Sequence, residues 1–180
     1  MSEHYWRDKV RVLYSPQAIN ERIAALAAQI RYDLADSEPV VIGILKGSFV
    51  FMADLVRQLD LPVSCDFIAI SSYGDGTHSS GVVQITRDLS QSIEGRDVLV
   101  VEDIIDTGLT MEYLLANLRT RRPRSVRVCT LLHKIDNARV KVSIDYVGFA
   151  IPNEFVVGYG LDYAGRFRNL PFIGVYDAGA

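Results

Sequence analysis

Short, apolar, β-branched runs recur along the chain, and most lack the alternation of a strand with one wet face. They read Val40-Val41-Ile42-Gly43-Ile44-Leu45, Phe67-Ile68-Ala69-Ile70, Val98-Leu99-Val100-Val101 and Val126-Arg127-Val128-Cys129-Thr130-Leu131-Leu132. Runs of this kind suit strands covered on both faces, the condition of a parallel sheet. Helical periods lie between them. Ser15-Pro16 supplies a hydroxyl cap and a first-turn proline, and Ile19, Ile23, Leu26, Ile30 and Leu34 then step by three or four. A second helical pattern begins near Ser48 and carries Phe49, Met52, Leu55, Val56 and Leu59. A third begins after Thr110 and carries Met111, Leu114, Leu115 and Leu118. The alternation predicts an α/β fold, a parallel twisted sheet flanked by helices. Two segments depart from it. Residues 71–81 read SSYGDGTHSSG, all turn formers and small polar residues, a stretch that is either a functional flap or disordered. After Lys134 come β-like residues (Val140, Val142, Ile144, Val147, Phe149) that suggest a partly separate cap at the sheet's edge.

The chain has 180 residues, the size of one domain, here 1–180. Cys65 and Cys129 lie far apart without a Cys-x-x-Cys pattern, which argues against a zinc site or a disulfide framework. With 19 Lys+Arg against 22 Asp+Glu, net charge is −3, a poor balance for neutralising nucleic-acid phosphates. The start, MSEHYWRDKVRVLY, lacks the pattern of a secretory signal, and no apolar run approaches the roughly 20 residues of a membrane span. These features predict a soluble, cytoplasmic protein with neither nucleic acid nor membrane as partner.

Chemistry concentrates in Val98 to Thr110, VLVVEDIIDTGLT. A buried strand runs into Glu102-Asp103, then Asp106, then Thr107-Gly108-Leu109-Thr110 and a helix. Ligands of open α/β sheets sit beyond the carboxyl ends of strands. A strand-to-helix turn there offers backbone N–H groups at the positive end of a helix, which suits a phosphate. Gly108 permits close approach or a positive φ, and Thr107 and Thr110 add hydroxyls. Glu102 and Asp103 suit sugar hydroxyls or Mg²⁺, with Asp106 between the acidic and phosphate ends. One acid at a strand end reads as a solvated turn; three acids followed by TGxT do not. Other phosphate motifs fail on spacing. There is no G-x-x-x-x-G-K-[ST], Gly74-Asp75-Gly76 and Gly158-Tyr159-Gly160 lack a third glycine, and Asp103 and Asp106 are not an Asp-x-Asp pair.

VVEDIIDTGLT resembles the phosphoribosyl-pyrophosphate binding motif of type I phosphoribosyltransferases. The resemblance extends over nearly the whole chain and points to the short bacterial hypoxanthine-guanine form. Supporting segments are Gly43-Ile44-Leu45-Lys46-Gly47, the 71–81 loop, Leu131-Leu132-His133-Lys134, and Ile151 to Tyr163, in the family's order. It implies transfer of a phosphoribosyl group to a 6-oxopurine with Mg²⁺, on a fold with a small hood and a flexible lid. It assigns Glu102 and Asp103 to the ribose hydroxyls and to magnesium, and the backbone from Asp106 to Thr110, through Thr107, Gly108 and Leu109, to the 5-phosphate. Asp106 becomes the general base at purine N7. Lys46, Gly47 and Arg168 meet pyrophosphate, with a non-proline cis peptide at the lysine. Lys134 donates to the purine 6-oxygen, Phe155 stacks on the ring, and the Val156 backbone reads its edge. Asp162 is a further magnesium ligand, its backbone near the 2-position. Ser72 and Tyr73 belong to the lid, and the working form is a homodimer or homotetramer.

Taken alone, Lys134 reads as a strand-end lysine in water, Phe155-Val156-Val157 as core strand and Arg166 as a solvated charge. The spacers Ile135 to Val140 and Ala164 to Arg166 depart most from the family, which leaves the choice among hypoxanthine, guanine and xanthine open. The competing reading is a regulator on the same fold that senses phosphoribosyl pyrophosphate. It would need a basic face or an added DNA-binding segment, and the one basic cluster, Arg119-Thr120-Arg121-Arg122-Pro123-Arg124, reads as a solvated helix end. A transferase for adenine or a pyrimidine is disfavoured by Lys134 and Phe155.

Overall fold

The computed structural model describes residues 9–72 and 83–177. The apolar runs become the middle of a six-stranded sheet. In chain order its strands are β2 (Val40–Leu45), β3 (Ser64–Ser72), β4 (Val83–Arg87), β5 (Asp97–Ile105), β6 (Ser125–Lys134) and β7 (Tyr146–Ile151). The spatial order is β4-β3-β2-β5-β6-β7, parallel except for β4, which pairs antiparallel with β3 at one edge. β1 (Val10–Tyr14), β8 (Val156–Val157) and β9 (Ile173–Tyr176) form a separate antiparallel sheet in the order β1-β9-β8.

Both faces of the large sheet are covered, which explains the missing alternation. On one face Val41, Leu99, Val101, Cys129 and Leu131 pack with α1 (Pro16–Asp33) and α2 (Phe49–Leu59). On the other, Val40, Ile42, Val98, Val100 and Val128 pack with Met111, Leu114, Leu115 and Leu118 of α3 (Leu109–Thr120). Successive residues of β2 and β5 thus feed two different cores. Ser15 caps α1 as expected, its hydroxyl accepting from the Ala18 N–H at 3.2 Å.

Four expectations need correction. α3 begins at Leu109, not after Thr110, because Gly108 takes a left-handed φ of 84° that lets the helix start at once. Ser71 and Ser72 belong to β3, not to the loop, since pairing with β4 extends the strand. The residues after Lys134 do not build a separate cap: Val147 and Phe149 enter β7, which completes the large sheet, and the smaller sheet draws on both ends of the chain instead. On α2, Phe51 is fully buried and Phe49 is 45% exposed, the reverse of the expected inward Phe49.

The basic cluster after α3 is likewise paired rather than merely solvated. Arg121, Arg122 and Arg124 bridge Asp88, Glu94 and Asp97. Asp97 opens β5 and also accepts from the Ser125 hydroxyl at 2.7 Å and the Arg124 Nε at 3.0 Å. The Arg124 bond above all pulls its carboxyl down to about 2. This end of β5 is therefore anchored electrostatically, opposite the end that carries the acids. A carboxyl depressed in the fold stabilises it above its ordinary pKa of 3.8 and loses that effect as pH falls toward 2. Asp97→Asn should cost about 1–2 kcal/mol near neutral pH. The difference from the parent, followed by urea denaturation, should close between about pH 4 and pH 2.5; a constant gap would show that carboxylate charge is not its source.

Candidate active site

The site lies where the order of strands reverses. From β2 the chain crosses through α2 to β3 on one side; from β5 it crosses through α3 to β6 on the other. Such a switch point opens a crevice between two neighbouring strands at their carboxyl ends. Pairing between β2 and β5 stops at Gly43 and Val101, while β5 continues along β6 to Ile105 opposite His133. Glu102 and Asp103 are the first residues of β5 beyond that split.

Their environment is a charge problem without an internal solution. Glu102 and Asp103 are each 9% exposed, and neither has an ion-pair partner among the described residues. Burial, then the neighbouring Asp103 charge, holds the Glu102 carboxyl well above the usual carboxylate range. Asp103 lies against Gly47, where a Cβ would fall inside its carboxylate. The turn after β2 thus supplies space for an acid carried by β5. A divalent cation or sugar hydroxyls would suit this pair.

The junction into α3 forms a small cavity of about 150 Å³, lined among others by Glu102, Asp106, Thr107, Gly108 and Thr110. No side chain caps α3, whose N-cap is Gly108. Its first-turn N–H groups keep the donor capacity and positive dipole end that bind anions. The Thr107 carbonyl accepts the Arg139 and Val140 N–H groups at 2.9 and 3.2 Å, so the chain beyond β6 folds over this turn. A Cβ on Gly108 would meet the Val140 carbonyl at 2.8 Å.

Lys134 is buried, contrary to its isolated reading. At the end of β6 it is 8% exposed, and its Nζ lies 3.4 Å from Asp106 Oδ2 and 3.3 Å from Asn153 Oδ1. Asn137, in the short 3-10 turn Ile135–Asn137, donates its amide to Asp106 Oδ1. Phe155 precedes β8 and is half exposed, while Val156 and Val157 are buried within it. Its ring meets Tyr163 edge-on, with centroids 5.7 Å apart at 87°. The third group of residues meets across a loop. Arg168 bridges Asp162 and donates from Nη1 to the Gly160 carbonyl at 2.6 Å, and Asp162 Oδ2 accepts the Gly165 N–H at 2.7 Å. Lys46 is exposed after a cis Leu45–Lys46 peptide.

The expected site residues therefore fall into three groups. Glu102, Asp103, Gly47 and the Asp106–Thr110 turn are contiguous. Lys134 joins Asp106. Asp162 and Arg168 pair with each other, and among the described residues no three acidic, histidine or cysteine side chains converge on one point. Asp162 is thus not gathered with Glu102 and Asp103. Ser72 ends β3 through its backbone; Tyr73 lies outside the described residues. Reading by sequence missed Asn137 and Asn153. Asn153 sits inside a quoted motif without a role, and Asn137 in a spacer whose only signal is the turn it makes.

A model of the phosphoribosyl transferase domain matches residues 10–164. The chain belongs to the phosphoribosyltransferase family. The hypoxanthine-guanine phosphoribosyltransferase of Bacillus subtilis is 48% identical over 168 residues, 93% of either chain. A bifunctional protein TilS/HprT of Listeria monocytogenes is 48% identical over 174 residues, 97% of this chain, and this phosphoribosyltransferase chain spans about a quarter (27%) of that protein's length. A crystal structure of a hypoxanthine phosphoribosyltransferase from Staphylococcus aureus superposes with a TM-score of 0.93 at 42% identity, covering 98% of this chain and 97% of that one. The sheet and its flanking helices are thus a phosphoribosyltransferase fold.

The contact between Gly47 and Asp103 gives a sharp test. Gly47→Ala should force Asp103 out of its place while leaving both cores intact. The melting temperature should fall by a few degrees, the effect of about 1 kcal/mol on a chain of this size, and catalysis should drop at least tenfold. Full activity in Gly47→Ala would show that the position of Asp103 does not matter.

Proposed function

We propose that the chain transfers the 5-phosphoribosyl group of phosphoribosyl pyrophosphate to hypoxanthine, and to guanine, releasing pyrophosphate, in purine salvage. The observation that carries this reading is the Lys134–Asp106 pair beside the α3 cradle, whose lining includes Asp106. An ammonium can only donate. A 6-oxopurine offers it an acceptor, while adenine offers an amino group and leaves donors facing donors, at a cost of roughly 1–3 kcal/mol. The names of the relatives support the same substrates.

In this reading the first-turn N–H groups of α3, with Thr107 and Thr110, hold the 5-phosphate. Glu102 and Asp103 accept from the ribose hydroxyls. Phe155 covers one face of the base and the Val156 backbone meets its edge, with Asp162 toward the 2-position. Asp106 takes the proton from N7 as N9 attacks the anomeric carbon, and its charge favours the cationic character that develops on the sugar. The bond to pyrophosphate breaks with its electron pair leaving on oxygen, where Lys46, the Gly47 N–H and Arg168 meet it. Arg168 exchanges part of its pairing with Asp162 for pyrophosphate oxygens, which its fork suits. The unpaired Glu102–Asp103 pair fits Mg²⁺, which takes one or two carboxylates with substrate oxygens and water; bound there, it would neutralise the leaving pyrophosphate. Among the described residues no helix is long and apolar enough to cross a membrane. The cytoplasm as compartment, one domain over 1–180 and a homodimer or homotetramer complete the proposal.

Mixing the protein with phosphoribosyl pyrophosphate, Mg²⁺ and each of hypoxanthine, guanine, xanthine and adenine tests it. Inosine monophosphate should form, adenosine monophosphate should not, and the absence of nucleotide from every 6-oxopurine would end the proposal. Asp106→Asn should keep both KM values within about threefold and lower kcat at least tenfold, since a positioned base is worth ~10²–10⁴ in rate. Unchanged turnover would remove Asp106 from the mechanism.

A further inference from the structure

Both oxygens of the Asp106 carboxylate are engaged, and by donors of different kinds. Oδ2 faces the Lys134 ammonium at 3.4 Å, and Oδ1 accepts the amide of Asn137. The two donors reach it from the same stretch of chain: Lys134 is the last residue of β6, and Asn137 ends the 3-10 turn that follows. That turn is tied down on the segment it serves, through the two N–H bonds from Arg139 and Val140 to the carbonyl of Thr107, next to Asp106. The Asp106 side chain is 44% exposed, so packing alone does not fix its rotation. A hydrogen bond from a clamped turn does.

We propose that Asn137 is the positioning residue of Asp106: its amide holds Oδ1, so that Oδ2 is the oxygen presented to substrate. The inference rests on the assignment of Asp106 as the base. The chemistry separates the two donors. When a 6-oxopurine enters, its 6-oxygen competes for the Lys134 ammonium, whose other neighbour is Asn153 Oδ1 at 3.3 Å. Oδ2 is then released to accept the N7 proton as the N9–carbon bond forms and the carbon–pyrophosphate bond breaks. The Asn137 amide cannot ionise in this range. It stays on Oδ1 whether Asp106 is charged or protonated and keeps the carboxyl plane set through the transfer.

The test measures kcat and KM for phosphoribosyl pyrophosphate and hypoxanthine in Asn137→Ala, Asn137→Asp and Asp106→Asn, and in the double variant of Asp106→Asn with Asn137→Ala. Asn137→Ala should lower kcat about tenfold, the loss expected when a base is kept but not oriented, with both KM values within about threefold. Asn137→Asp is nearly isosteric and turns the donor into an acceptor facing a carboxylate, so it should fall further than the alanine variant. In the Asp106→Asn background, removal of Asn137 should add less than twofold, because residues that act through one another are not additive. A purely structural role predicts the opposite: equal losses in both backgrounds and full rescue by Asp. Unchanged kcat in Asn137→Ala, an aspartate variant as active as the parent, or additive losses would each overturn the proposal. If the parent is active and Asp106→Asn is impaired, such a result removes Asn137 alone. If the parent forms no nucleotide, or Asp106→Asn keeps full turnover, the assignment of Asp106 fails first.

Discussion

The reversal of strand order between β2 and β5, which run parallel to each other, is the constraint on which the site depends. Two neighbouring parallel strands send their crossover helices to opposite faces of the sheet, so no connection closes the gap at their carboxyl ends. The acids, the glycine turn and the lysine are there because one of these strands, or β6 beside them, ends there. The acids arrive on β5, the space for one of them is left by Gly47 after β2, and the lysine arrives on β6. Hydrogen bonding adds precision, but the opening itself follows from topology.

Electrostatically the crevice is unbalanced by construction. At the far end of β5, Asp97 is met by Arg124 and Ser125 and sits low. At the near end, Glu102 and Asp103 are buried side by side with no cationic partner among the described residues, and Glu102 is pushed high. One strand thus carries a satisfied carboxylate at its start and an unsatisfied pair near its end. Burying unpaired charge is costly, and a ligand that brings positive charge or hydroxyl donors recovers that cost on binding. Asp106 is a third case, held by one charged and one neutral donor.

Much of this was legible in the chain. The runs without alternation at Val40–Leu45 and Val98–Val101 announced strands covered twice, because a strand buried on both faces has no position for a polar residue. The VVEDIIDTGLT segment announced the crevice, because acids straight after such a strand must emerge at its end. Misreadings arose where tertiary context overrides local pattern. Phe49 and Phe51 are equally apolar, and only the angle of α2 on the sheet decides which is inside. Val147 and Phe149 look alike in a cap or in an edge strand. Lys134 looks exposed until Asp106 and Asn153, distant in sequence, are seen around it. Asn137 carried little signal, since an amide in a spacer becomes informative only when the turn folds back over Thr107.

The two cores have an evolutionary reading. The phosphate cradle is carried by α3 and the core on its own face of the sheet. The segment that the proposed reading sets against the base, with Val156, Tyr159 and Leu161, packs into the core on the opposite face. The sheet lies between these two cores, and the Lys134–Asp106 pair links the groups at its edge. Under the proposed reading, replacements in the core beneath Val156, Tyr159 and Leu161 can accumulate without disturbing the packing of α3 on the other face. A scaffold divided in this way can diversify what it accepts while keeping unchanged what it donates.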